Sequence, residues 1–84
     1  MVPNYIVETY VPQGREEVDR AAARARDAAE SLTGEGTAIR FLRSTFVPAD
    51  ELCFFVFEAE SSEVVGEATA RAAIAVERIV EAVE

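Results

Sequence analysis

The clearest pattern of apolar positions is a pair of runs, Thr37 to Val47 and Leu52 to Ala59, on either side of Pro48-Ala49-Asp50. β-Branched and aromatic residues favour strands, and Pro and Asp favour tight turns, so this pattern predicts a β-hairpin. Successive side chains of a strand point to opposite faces, and in the second run both faces are apolar. One face carries Leu52, Phe54 and Val56, and the other carries Cys53, Phe55, Phe57 and Ala59. Because a layer of helices covers only one face of a sheet, the other face requires a second cover.

The segments before the hairpin predict a strand followed by a helix. The stretch from Asn4 to Tyr10 alternates in a way that is typical of a strand. From Arg15 the apolar positions recur every three or four residues, which predicts an amphipathic helix of about five turns. Its apolar stripe is mostly alanine and consists of Val18, Ala21, Ala22, Ala25, Ala28, Ala29 and Leu32. Gly34 and Gly36 are predicted to end this helix, because glycine readily adopts the left-handed conformation of a helix C-cap.

The segment after the hairpin predicts a second helix whose end the pattern leaves open. Ser61 or Ser62 is a suitable N-cap. Helical spacing from Val64 through Val83 permits one helix to the C-terminus, but Val76 to Val83 also has the pattern of a short edge strand. With a last strand the order is βαββαβ, the ferredoxin-like α+β arrangement, in which two helices cover one face of a four-stranded antiparallel sheet.

Three segments of the chain follow one another in an order and spacing known from other proteins. They are NYIVETYVP at 4–12, LRSTFVPADELCFFVFEAES at 42–61 and RAAIAVERIVEAV at 71–83. Together they resemble the small bacterial nickel-binding ferredoxin-like proteins, a family whose domain is otherwise mostly of unknown function. The resemblance implies a fourth strand at Arg78, a homodimer of the dimeric α+β barrel type, and nickel as a possible ligand.

The potential metal donors in the sequence indicate that any nickel site is weak. The sequence has no histidine, and its only cysteine, Cys53, lies in the middle of an apolar strand. Nickel prefers imidazole or thiolate donors, whereas the carboxylates of Glu8, Glu58 and Glu67 suit harder cations. We therefore expect nickel binding no tighter than about tens of micromolar, and we predict no metal ligands and no other cofactor.

The composition predicts a single soluble domain. The 84 residues are 50% hydrophobic and 29% charged, as in a globular chain, and we expect one domain over residues 1–84. The 16 acidic and 8 basic residues give a net charge of −8, which disfavours nucleic acids and anionic membranes as partners. The sequence shows neither a signal peptide nor an apolar run of about 18 residues, so we expect a cytoplasmic protein.

The candidates for ligand contact are Glu8, Tyr10, Arg43, Ser44 and Phe55. Glu8 places a carboxylate on a mostly apolar strand face, where it suits proton transfer or ligand binding; pairing with an arginine is the alternative. Arg43 or Ser44 is expected to face Glu8 from a neighbouring strand. Phe55 either lines an apolar pocket or belongs to the core. Cys53 has no histidine to act as its base, so we interpret it as a packing residue.

No catalytic motif identifies a reaction, and catalytic residues are not assigned. The first hypothesis is a homodimeric binding protein whose two sheets enclose a pocket for a small molecule or a metal ion. The second is a cofactor-free enzyme, such as a cyclase, an isomerase or a monooxygenase-like catalyst, with its pocket between sheet and helices or at the dimer interface; fold analogy alone supports it. The third is a structural interaction module. A pocket on which Glu8 and an Arg or Tyr converge favours the first two hypotheses, whereas a fully packed interface favours the third.

Overall fold

The computed structural model describes residues 2–83, so Met1 and Glu84 of the predicted domain lie outside the described part. Its elements are β1 (Asn4–Tyr10), α1 (Arg15–Gly34), β2 (Ile39–Val47), β3 (Leu52–Ala59), α2 (Ser62–Arg71) and β4 (Arg78–Ala82). The strands form one antiparallel sheet in the order β2-β3-β1-β4, which confirms the ferredoxin-like α+β prediction and the fourth strand. Neither helix in the described range has the length and apolar content that a membrane crossing requires.

Both helices pack on one face of the sheet, which we call the helix face. The side chains that β1 and β3 direct to this face are buried; they are Tyr5, Val7, Thr9, Cys53, Phe55, Phe57 and Ala59. Phe41 of β2 packs edge-on against the fully buried Phe57, with ring centroids 5.4 Å apart. The buried alanines of α1 contact this layer, since their small side chains let the helix backbone approach the sheet.

The first helix ends at Gly34, and Gly36 alone of the two glycines has the left-handed conformation that turns the chain out of the helix. Gly36 has φ 98°, whereas Gly34 is the last helical residue. The Gly36 N–H donates to the Thr33 carbonyl at 3.0 Å, and the Thr37 N–H donates to the Leu32 carbonyl at 2.9 Å. This is the Schellman pattern, in which a residue with positive φ turns the chain out of the helix.

The second helix begins at the N-cap Ser61 and ends by the same pattern without a glycine. The Val64 N–H donates to the Ser61 hydroxyl at 3.4 Å. Ala73 adopts φ 56°, and the Ile74 N–H donates to the Thr69 carbonyl at 3.0 Å. An alanine in the left-handed region costs about 1–2 kcal/mol, so it is not expected at such a position. Since neither glycine nor proline stands here, no local residue marks this break in the sequence.

A β-bulge in β2 decides which of its side chains face the helices. The register with β3 shifts between Phe41 and Arg43, which leaves Leu42 as the extra residue. Beyond the bulge Ser44 is opposite Phe55 on the helix face, while Arg43 is opposite Val56 on the other face. One added residue reverses the alternation of the strand, because side chains repeat with a period of two.

Candidate functional site: the open face of the sheet

The sheet face opposite the helices, which we call the open face, is the candidate functional site. The register arranges its side chains in rows across the strands. One row contains Arg78, Glu8, Phe54 and Thr45, and the next contains Val80, Ile6, Val56 and Arg43. A further row contains Ala82, Asn4, Glu58 and Arg40, and a short one at the other end contains Tyr10, Leu52 and Val47. The face therefore has an apolar centre with charged side chains around it.

An ion pair between Glu8 and Arg78 borders the apolar centre. The two residues are directly opposite on β1 and β4, and the Arg78 Nε donates to the Glu8 Oε1 at 2.9 Å. The Glu8 side chain is only 24% exposed, whereas that of Arg78 is 67% exposed. A half-buried carboxylate is thus held by a guanidinium whose remaining N–H groups are available to a ligand.

The expectation that Arg43 or Ser44 faces Glu8 is wrong, because β3 lies between β1 and β2. Arg43 is on the open face, exposed, and separated from Ile6 by Val56 in the same row. Among residues 2–83 it has no carboxylate partner. Ser44 is on the helix face, so the sheet itself separates it from Glu8.

The two aromatic candidates also lie on different faces. Tyr10 is on the open face, 52% exposed, and its hydroxyl donates to the Glu51 Oε1 at 2.9 Å. That hydrogen bond to a carboxylate raises the pKa of Tyr10. Phe55 is fully buried on the helix face and belongs to the core. The structure therefore places Glu8, Tyr10 and Arg43 on one surface and keeps Ser44 and Phe55 away from it.

Arg78 is the open-face residue that sequence reasoning did not include. Its position depends on the register of β4, and that register depends on where α2 ends. The available signal was the arginine at the start of the last apolar run. If that run pairs with β1 as a fourth strand, this arginine can lie opposite Glu8.

The family model described as "Nickel responsive protein SCO4226-like" matches residues 5–82. The chain belongs to the SCO4226-like family. Among solved structures, the crystal structure of SCO4226 from Streptomyces coelicolor A3(2) matches with a TM-score of 0.69 and 16% sequence identity, over 94% of each chain. At this identity the likeness supports the shared fold. No curated protein matches the chain.

The donors of this SCO4226-like chain do not fit a nickel site. Residues 2–83 contain no group of three or more His, Cys, Asp or Glu side chains positioned to hold a metal ion. The carboxylates considered as donors instead each pair with an arginine: Glu8 with Arg78 at 2.9 Å, Glu58 with Arg40 at 3.1 Å, and Glu67 with Arg71 at 3.4 Å.

The single thiol is equally unsuited to metal binding or nucleophilic attack. Cys53 is fully buried on the helix face, opposite Phe46 of β2. Burial raises the pKa of the Cys53 thiol to about 11. Because the thiolate is the form that binds metals and attacks electrophiles, a protonated and enclosed Cys53 serves packing.

Proposed function

We propose that this SCO4226-like chain is a small homodimeric ligand-binding protein, in which the open faces of two copies enclose a site for a small molecule. The observation that carries the proposal is the apolar centre of the open face, formed by Ile6, Leu52, Phe54, Val56 and Val80. Both helices pack on the other face, so residues 2–83 of one chain form no second layer over this apolar surface. Contiguous apolar surface of this kind marks an interaction site on a soluble protein.

The charges of the open face support self-association. The whole chain has a net charge of −8, so two copies repel each other over most of their surfaces. On the open face Arg40, Arg43 and Arg78 stand against Glu8, Glu58 and Glu51, whose carboxylate accepts from the Tyr10 hydroxyl, so positive and negative charges balance. Contact through this face therefore incurs less repulsion than contact through the acidic remainder of the surface.

The ion pair of Glu8 and Arg78 supports a ligand site within that interface. A two-fold axis presents every contact residue twice, so a dimer would bring two such pairs and two Arg43 guanidiniums around one apolar space. Apolar walls with a few convergent polar groups are the usual composition of a small-molecule site. Each pair supplies donors from Arg78 and acceptor capacity from Glu8.

Light scattering after gel filtration tests the dimer. The expected mass is twice the 9.2 kDa of one chain at micromolar concentration. Phe54→Glu introduces a charge into the centre of the open face and should give the monomer mass. Ala23→Glu, at an exposed position of α1, is the matched control and should remain dimeric. A monomeric parent protein contradicts the proposal.

Native mass spectrometry of the protein purified from its own host tests the ligand. We expect a bound small molecule that is lost or weakened in Glu8→Gln and retained in Glu16→Gln, a control at an exposed position of α1. A dimer that carries no added mass would leave an assembly without a ligand and would refute the binding role.

The description of the family raises nickel as the ligand, and the donor set of this chain argues against a tight nickel site. We expect calorimetric titration with nickel, and separately with zinc, to show binding no tighter than about tens of micromolar at neutral pH. A stoichiometric submicromolar nickel isotherm would overturn this expectation and make nickel the ligand. The pair of Glu8 and Arg78 is compatible with both binding and catalysis, and the enclosed Cys53 thiol offers no nucleophile that would favour an enzyme.

A further inference from the structure

A groove lies between α1 and the edge strand β2, where the helix face meets the edge of the sheet. Its volume is about 420 Å³. Ala29, Ile39 and Phe41 form an apolar floor, and Arg26, Glu30 and Arg40 stand at the rim. Small-molecule sites commonly have volumes of about 300–1,000 Å³, so the groove is large enough for a ligand of modest size.

We propose that this groove binds a small organic anion with an apolar body, such as an arylalkyl carboxylate. The central residue is Arg26, whose guanidinium carbon lies 5.2 Å from the centroid of the Phe41 ring. This cation–π contact holds the guanidinium beside the apolar floor. Its N–H groups remain free for a carboxylate, which a planar guanidinium binds in two places. The apolar body of the ligand then lies on Phe41 and Ile39.

The charge of Arg26 is available because no carboxylate within residues 2–83 pairs with it. The neighbouring arginines of α1 differ in this respect, since Arg20 and Arg24 both pair with Glu17, at 3.0 and 3.2 Å. In a chain with a net charge of −8, an unpaired guanidinium beside an apolar groove is complementary to an anion from outside.

The rim is held in place by the end of α1. The Thr33 hydroxyl donates to the Ile39 carbonyl at 2.8 Å, which ties the last turns of the helix to the start of β2. Arg40 borders the groove from the edge of the sheet, but its guanidinium contacts Glu58 on the open face at 3.1 Å, so Arg26 supplies the positive charge of the groove. Glu30 opposes an anion, so its removal should strengthen binding rather than weaken it.

Nuclear magnetic resonance titration with 3-phenylpropionate tests the proposal, with the neutral 3-phenylpropanamide as the matched probe. We expect saturable shifts of the Ile39 and Phe41 amide signals with the carboxylate and much weaker shifts with the amide. Arg26→Gln should weaken carboxylate binding by about tenfold, as loss of a charge-assisted contact does. Glu30→Gln should tighten it. Arg15→Gln, which removes one exposed positive charge elsewhere on α1, should leave it unchanged.

Four results would overturn the groove as an anion site. The first is equal binding of the carboxylate and the amide. The second is an equal loss of affinity in Arg26→Gln and Arg15→Gln, which would indicate a general charge effect. The third is a set of shifts confined to the open face, around Ile6 and Phe54. Absence of any saturable shift at millimolar 3-phenylpropionate likewise refutes the proposal.

Discussion

The two faces of β3 are both largely apolar but have different surroundings. On the helix face Phe55 and Phe57 are fully buried within one chain. On the open face Phe54 and Leu52 are only half-buried, and Val56 is buried by its neighbours in the sheet at 6% exposure. Apolar residues alone therefore do not distinguish the core face of a sheet from a face that the helices leave uncovered; the position of the helices does.

Truncation of one phenylalanine on each face gives the largest expected contrast. Phe55→Ala should lower the free energy of unfolding by about 3–5 kcal/mol, because it removes a buried aromatic side chain and leaves a cavity. Phe54→Ala should cost the isolated chain less, since Phe54 is half-buried, and should weaken self-association instead. Denaturant unfolding and light scattering of both variants measure these effects. Equal losses of stability with unchanged mass would remove the distinction between the faces.

The burial of Cys53 on the helix face predicts that the free energy of unfolding depends on pH. Burial raises the pKa of its thiol from the ordinary 9.0 to about 11, so the unfolded chain releases the proton at lower pH than the folded chain. The stability that this thiol contributes is therefore present below pH 9 and is lost as pH rises towards 11. The loss at pH 11 is at most about 2 kcal/mol.

The measurement for Cys53 is the melting temperature between pH 8 and pH 11 in the parent protein and in Cys53→Ala. Tyrosines and other groups titrate in both proteins, so their effects cancel in the difference. We expect the parent to lose more stability than Cys53→Ala over this interval. Parallel pH profiles would mean that the thiol is not enclosed by the helix face.

The first five elements, including the hairpin, were predictable from the sequence, because period-two and helical spacing are local properties. The fourth strand was predicted from the family resemblance, since helical spacing continues from Val64 through Val83. The face to which Arg43 points was not, since the bulge at Leu42 reverses the alternation and has no local signature. The partner of Glu8 was missed for a related reason. Its ion pair with Arg78 depends on strand order and on the register of β4, and both are set by tertiary packing rather than by the residues nearby.

The turn at Ala73, between α2 and β4, provides a smaller test of stability, because it leads the chain into the strand that places Arg78 on the open face. Ala73 has φ 56°, and the equivalent position after α1 is Gly36 with φ 98°. Ala73→Gly should stabilise the protein by about 0.5–1 kcal/mol, because the relief of left-handed strain in the folded chain outweighs the greater freedom of glycine in the unfolded chain. Gly36→Ala should destabilise by strain alone, because an added Cβ meets no atom within 4 Å. Thermal unfolding of both variants measures the effect; destabilisation by Ala73→Gly would contradict the assigned turn.

The ion pair of Glu8 and Arg78 should give the smallest effect on the free energy of unfolding. A double-mutant cycle with Glu8→Gln and Arg78→Ala, at concentrations where the chain is monomeric, should show a coupling of about 0.2–1 kcal/mol that falls as salt is added. Arg40 and Glu58 form the matched pair at the opposite corner of the open face, with side chains 70% and 33% exposed. Their coupling should be similar in the monomer.

At concentrations that favour the dimer, coupling between Glu8 and Arg78 should increase, because an enclosed ion pair is screened less by water and salt. A coupling that does not change with protein concentration would show that the open face stays exposed to solvent.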